Sequence, residues 1–212
     1  MKDVKEISAS VIGRLPRYYR FLCELSNKGT VRISSRELSQ IMGLTASQIR
    51  QDFNCFGGFG QQGYGYNVNQ LKSEMAEILG LVETKSAILI GAGNLGRAVA
   101  SQLSFDDKGF RLTAIFDSDP LFTGLKIREL PIRSDEELPV FCTENHPSMA
   151  ILCLPADRAP AIVDKLIMLG VENFWNFSHY DIHRKYPFAK VENVHLSDSL
   201  MRLSYLIKNT DK

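Results

Sequence analysis

The run Gly91-Ala92-Gly93-Asn94-Leu95-Gly96 has the spacing G-x-G-x-x-G. Glycines so placed allow a tight turn, bring backbone close to a diphosphate, and let a helix pack on a strand. Just before it, Ala87-Ile88-Leu89-Ile90 is a continuous apolar run suited to a buried parallel strand. Strand, turn and helix start in that order aim free N–H groups and a partial positive charge at a phosphate. A second apolar run, Leu112-Thr113-Ala114-Ile115-Phe116, ends in Asp117. That lies about twenty residues past the last glycine, where a carboxylate accepts from a ribose 2′-hydroxyl and repels a 2′-phosphate. Ser118 and Asp119 add no arginine, so the expected cofactor is NADH or NAD and not the phosphorylated form. Gly91, Ala92, Gly93, Asn94, Leu95, Gly96 and Asp117 are the candidate cofactor-binding residues.

A second constellation precedes it. Ser34-Ser35-Arg36-Glu37 has the pattern of a capping box at a helix start, and Gly43 stops that helix. Thr45 with Gln48 offers a second cap. Two short helices around a tight turn predict a helix-turn-helix. Ser47, Gln48, Arg50 and Gln51 fall near the start of the second helix, the end that meets base edges in the major groove. Gln pairs with adenine there, and Arg with guanine. Arg14, Arg17 and Arg20, around Tyr18 and Tyr19, are candidates to grip phosphates. From Cys55 to Tyr66, five glycines in twelve residues predict a loop, read as a wing that carries Gln62 and Tyr64 to the minor groove.

Other elements must hold these two groups. Ile12, Leu15, Tyr19 and Leu22 recur at helical spacing, with Pro16 suited to a first turn. Leu71, Met75, Ile78 and Leu79 predict another helix, stopped by Gly80. Met149 to Leu154 predicts a buried strand stopped by Pro155. Ile162, Leu166 and Leu169 predict a helix ended by Gly170, and Phe174 to Phe177 the next strand. The strand ends at Pro155 and Asn176 are expected beside the nicotinamide half of a dinucleotide. Ser197 is read as the cap of a last helix with Leu200, Leu203 and Leu206 on one face. The expected architecture is α/β. It comprises a winged helix-turn-helix over 1–80, a doubly wound parallel sheet of Rossmann type over 81–195, and a dimerisation helix over 196–212.

Composition agrees with a globular chain. Of 212 residues, 44% are hydrophobic and 23% charged, and the formal net charge is +1, which excludes a polycation. The charge is uneven. Residues 1–66 carry nine Lys and Arg against five Asp and Glu, whereas residues 81–212 carry fifteen against seventeen. The basic part is expected to meet an anion. No membrane span or signal peptide is expected, which predicts a cytoplasmic chain. The four cysteines show no C-x-x-C pair, so no metal is expected and the thiols are read as reduced. Few residues remain after Phe177 to build a substrate domain, and none of the four histidines has an obvious acidic orienter. The expectation is a sensor and not an enzyme. A small NAD-dependent oxidoreductase and a repressor answering another nucleotide, such as an acyl-CoA, are the competing readings.

Arg14-Leu15-Pro16, Gln48 to Phe53, Phe56 to Tyr66, Gly91 to Gly96, Asn176-Phe177 and Val191 to Val194 together resemble the Rex family of redox-sensing transcriptional repressors. The resemblance runs through essentially the whole chain. It implies a homodimer whose winged helices read a palindromic double-stranded DNA operator, a domain-swapped C-terminal helix, and an NADH pocket facing the dimer interface. It further implies that NAD⁺ is compatible with bound DNA, while NADH closes the dimer and releases it. The family often has Arg-Lys-Asp-Leu where this chain has Arg50-Gln51-Asp52-Phe53, which implies one contact fewer. In some members an Arg, a Tyr and an Asp exchange partners during the switch. The matching positions here are Arg20, Gln102 and His195, and only Arg20 fits. Asp198 is the nearby substitute acid, and His195 in the acid's place implies a pH-sensitive release.

Overall fold

The computed structural model describes residues 7–57, 59 and 64–209. Two compact units form, Met1–Val82 and Glu83–Lys212.

The first unit is helical with a two-stranded ribbon. Its elements are α1 (Ala9–Ile12), α2 (Leu15–Asn27), β1 (Arg32–Ile33), α3 (Ser35–Met42), α4 (Ala46–Asn54), β2 (Tyr66–Asn67) and α5 (Val68–Ile78). Pro16 sits in the first turn of α2, where its missing N–H has no helical partner to lose. Ahead of it, the short α1 ends at Gly13, whose N–H donates to the Ala9 carbonyl. Ser34 and Glu37 form the reciprocal capping box of α3, and Gly43 ends it in the left-handed conformation. Thr45 accepts from the Gln48 N–H, as expected for a cap, but the Gln48 side chain does not return to Thr45. Leu15, Leu22, Leu38, Met42, Ile49 and Met75 bury together. Phe53 is at the centre of this core, edge-on to Tyr18, Phe59 and Tyr66 at 5.0–5.3 Å between ring centres. β1 and β2 pair antiparallel, Arg32 opposite Asn67, at the base of the glycine-rich loop.

In the second unit, β3 (Lys85–Ile90), α6 (Asn94–Gln102), β4 (Phe110–Asp117), β5 (Lys126–Ile127), β6 (Leu130–Ser134), α7 (Leu138–Asn145), β7 (Met149–Leu152), α8 (Ala159–Met168), β8 (Asn173–Asn176), β9 (Lys190–Asn193) and α9 (Leu196–Lys208) follow in order. The sheet order is β5-β6-β4-β3-β7-β8-β9, parallel except for the β5 edge. The chain moves from β3 to β4 on one side, then returns to β7 on the other. That reversal opens a crevice at the C-terminal ends of β3 and β7. α7 and α8 bury Leu138, Phe141, Val163 and Leu166 against one face of the sheet. α6 buries Val99 and Ala100 against the other.

At the end of the chain one feature departs from expectation. Ser197 is not the cap of α9; the helix starts at Leu196 and His195 occupies the cap position without a side-chain bond to the helix. No residue of α9 is buried, and seven large apolar side chains, among them Leu200, Leu203 and Leu206, are more than half exposed.

Candidate nucleotide cleft and nucleic-acid interface

Each fingerprint glycine has a separate physical reason. Gly91 turns with φ +99°, and a methyl group there would collide with the Cys153 carbonyl just past the end of β7. A methyl on Gly96 would strike the Gly91 carbonyl oxygen, so α6 packs on β3 only with glycine here. Gly93 faces open space, which is where a diphosphate has room to approach. Ala92 is buried, whereas Asn94 and Leu95 are exposed at the start of α6. Gly93 caps α6 without a side chain, leaving the first N–H groups unsatisfied. Asp117 ends β4 beside this loop. Its Oδ2 accepts from the Ala92 N–H at 2.6 Å and its Oδ1 from the Asp119 N–H at 2.8 Å. The carboxylate thus holds the loop in place and keeps lone pairs for a further donor.

Gly91, Gly93, Asp117, Phe122, Pro155 and Arg158 are among the residues lining a cleft of about 390 Å³. Arg158, distant in sequence, also reaches this edge of the cleft: it donates from α8's cap position to the Ser118 hydroxyl at 2.9 Å. Sequence separation hides it, since the two residues meet only through sheet topology. Arg97 is equally hidden. It donates to the Ala92 carbonyl and lies 4.6 Å from the centre of the Phe122 ring. Cys153 lines the cleft, but burial pushes its thiol up to about 12, which keeps it protonated.

Asn176 does not line the cleft, and its expected role needs correction. Its side chain is buried. Nδ2 donates to the Tyr180 carbonyl and to Asn193 Oδ1; Oδ1 accepts from the Ser178 N–H and hydroxyl. With both ends of the amide engaged, Asn176 ties β8 to β9 and has little left for a ligand.

On α9's side, His195 and His179 stack, with one ring donating its Nδ1–H to the other over 2.7 Å. Nothing in the residue pattern announces this partner, sixteen positions away. Gln102 is exposed at the last residue of α6, and Asp198 is exposed in the first turn of α9. In the first unit, Arg20 is exposed on α2 beside the Phe21 ring.

The candidate nucleic-acid residues separate into two sets. Ser47, Arg50 and Gln51 are exposed on α4, and Arg50 donates to the Ser35 hydroxyl at 3.0 Å. Tyr64 is exposed, and its carbonyl accepts from Arg32. Arg32 is a further cation at the ribbon that sequence reasoning misses. Gln62 lies outside the described residues. Arg17 donates to the Met42 carbonyl at the end of α3. Arg14 requires correction as a phosphate grip. Its Nε and Nη2 bind both oxygens of buried Asp52, at 2.7 and 2.8 Å. Tyr18 donates to Asp52 Oδ2 and Gln48 to Oδ1. Burial pushes the Asp52 carboxyl up, but these hydrogen bonds and the Arg14 charge outweigh it and hold the carboxyl below its usual range.

A helix-turn-helix unit with a paired ribbon, joined to a Rossmann sheet with an open nucleotide cleft, defines the class of two-unit regulators with a ligand domain. Residues 6–54 match the family model "Putative DNA-binding protein N-terminus", and residues 82–180 match "CoA binding domain". The chain is 50% identical over 212 residues to "Redox-sensing transcriptional repressor Rex" of Thermoanaerobacter pseudethanolicus, covering 100% of this chain and 94% of that protein. With the Rex repressor of Clostridium perfringens (strain SM101 / Type A) it shares 47% over 211 residues, covering 100% and 99%. Two solved structures are similar. "RSP in complex with beta-NAD+ and operator DNA" has a TM-score of 0.90 at 50% identity, covering 98% of this chain and 95% of that one. "RSP in complex with beta-NADH" has a TM-score of 0.89 at 46% identity, covering 98% and 97%. This chain belongs to the Rex family of redox-sensing transcriptional repressors.

Proposed function

We propose that this chain is a cytoplasmic, homodimeric repressor that binds a palindromic DNA operator and leaves it when NADH fills the Rossmann cleft. The observation that carries this reading is the open backbone at Gly93 beside Asp117, in one chain with a capped helix-turn-helix. The relatives that were solved with NAD⁺ and operator DNA, and with NADH, support the ligand assignment. CoA, named by one matching family model, carries an adenosine diphosphate as NAD does, so a fit to the cleft's phosphate end is common to both.

In this reading Gly91, Gly93 and the start of α6 receive the diphosphate, Asp117 receives the ribose, and Pro155 borders the nicotinamide side. Ser47, Gln48, Arg50 and Gln51 face the major groove, Arg17 and Arg20 face phosphates, and Tyr64 on the wing faces the minor groove. An apolar nicotinamide pocket penalises the cationic oxidised ring by desolvation and so favours NADH. Catalysis has no part in this reading, in keeping with relatives that are named as transcriptional repressors. Dimerisation is supported by the wholly exposed apolar face of α9 and by an apolar groove of about 1060 Å³ lined by Phe105, Phe110, Met149 and Trp175.

The test starts from a duplex selected from a random pool, with fluorescence anisotropy read while NADH, NAD⁺, NADPH or CoA is added. Release by NADH at a far lower concentration than by the other three is expected. Tight binding that no addition of NADH disturbs would sink the sensor assignment.

A further inference from the structure

We infer that Asp52 is a positioning residue for base recognition: it locks the Gln48 amide with its oxygen outward, so α4 reads a base that donates a hydrogen bond. This rests on the DNA-binding reading above and deepens it. Asp52 and Gln48 stand one helical turn apart on α4, the spacing at which side chains meet. Gln48 Nε2 lies 2.8 Å from Asp52 Oδ1. The two ends of an amide look alike in shape, but an ionised carboxylate only accepts, so the nitrogen must face Asp52.

Asp52 cannot swing away to let the amide turn. Arg14 holds both its oxygens and Tyr18 holds Oδ2 from α2, and the side chain is fully buried. Those bonds also keep it ionised and accepting. Gln48 is half-buried, and its Oε1 has no partner among the described residues.

The consequence is chemical. In the major groove only adenine N6 and cytosine N4 donate. An outward Oε1 accepts from either, and the second Nε2 hydrogen can add a bond to adenine N7. Guanine and thymine present O6, N7 and O4, all acceptors, to an oxygen that cannot donate. An unanchored glutamine flips and serves either set. The arginine, tyrosine and aspartate behind α4 therefore narrow the choice of base without touching DNA.

The experiment is selection from random duplexes with the full-length chain, followed by competition binding at each position. Gln48→Ala marks the position read, as the one where preference flattens. There the wild type is expected to bind roughly ten-fold more weakly when the adenine or cytosine of that pair is replaced by purine or 2-pyrimidinone, which lack the amino donor. Arg14→Met combined with Asp52→Leu replaces the buried ion pair by apolar groups, a change that proteins often tolerate. With cooperative melting retained, this variant is expected to lose most of that preference, while general DNA affinity and release by NADH persist. An unchanged preference in the variant, a wild type indifferent to loss of the amino group, or no position flattened by Gln48→Ala would overturn the proposal. If the variant does not melt cooperatively, a structure of the wild type on its selected duplex decides instead. Oε1 against a base amino group then supports the proposal, and Nε2 against a base acceptor with Asp52 released overturns it. Absence of any selected duplex for the wild type would count against the proposed function as a whole.

Discussion

The Asp117 carboxylate accepts from the Ala92 and Asp119 N–H groups before any ligand arrives. In the proposed reading, its removal both loosens the glycine loop and deletes a ribose acceptor. Hydrogen bonds to charged groups are each worth about 1.5–3 kcal/mol. Asp117→Ala is expected to weaken NADH binding by roughly ten- to a hundred-fold, read by fluorescence titration, with operator affinity of the cofactor-free protein unchanged. NADH affinity equal to wild type would remove Asp117 from the site. Arg50 is exposed on α4 with one guanidinium nitrogen resting on Ser35. Arg50→Ala is expected to cost about 1–3 kcal/mol of specific binding and to relax one operator position, while leaving NADH affinity intact. Unaltered competition by every single-base operator variant would take Arg50 off the reading surface.

Elements show what a linear sequence can and cannot convey. The glycine fingerprint is legible because each glycine answers a local demand: a positive φ at Gly91, helix contact at Gly96 and open backbone at Gly93. The capping box of α3 is legible because its partners lie three residues apart. Arg14 reads as a phosphate grip because its partner lies 38 positions away and only packing of α2 on α4 joins them. Arg158 with Ser118, and His195 with His179, are hidden for the same reason. Asn176 is misplaced by sequence because strand-end position alone does not reveal an amide engaged by Ser178, Tyr180 and Asn193.

The α2–α4 junction also carries a pH dependence. The Asp52 carboxyl sits below its ordinary value when folded. Its contribution to stability is therefore present above the unfolded value, about pH 3.9, and is lost as pH falls through the folded value. Acid unfolding of the first unit is expected to shift less in Arg14→Met/Asp52→Leu than in wild type, followed by circular dichroism. Identical acid dependence in the two proteins would contradict that assignment. α9 makes a separate demand. Burying a leucine contributes about 1.5–3 kcal/mol. Leu200→Asp with Leu206→Asp is expected to weaken dimerisation by at least about a hundred-fold, seen as monomer by sedimentation. A dimer of undiminished stability would show that α9 is not the contact.

For the molecule as a whole, everything turns on operator and NADH binding to different conformations of one protein. Thermodynamic linkage then leaves no freedom. If NADH weakens DNA binding by some factor, DNA must weaken NADH binding by the same factor. A ligand bound equally by both conformations shifts nothing, however tight it is. The two units are joined in one chain, Met1–Val82 and Glu83–Lys212, so the factor measures communication between them. A closed cycle at one salt concentration measures it without intermediaries. Operator affinity is determined with and without saturating NADH, and NADH affinity with and without saturating operator. Two ratios that agree, both well above one and both larger for NADH than for NAD⁺, are the expected result. NADH affinity that is the same on free and operator-bound protein would refute the coupling and, with it, the sensor.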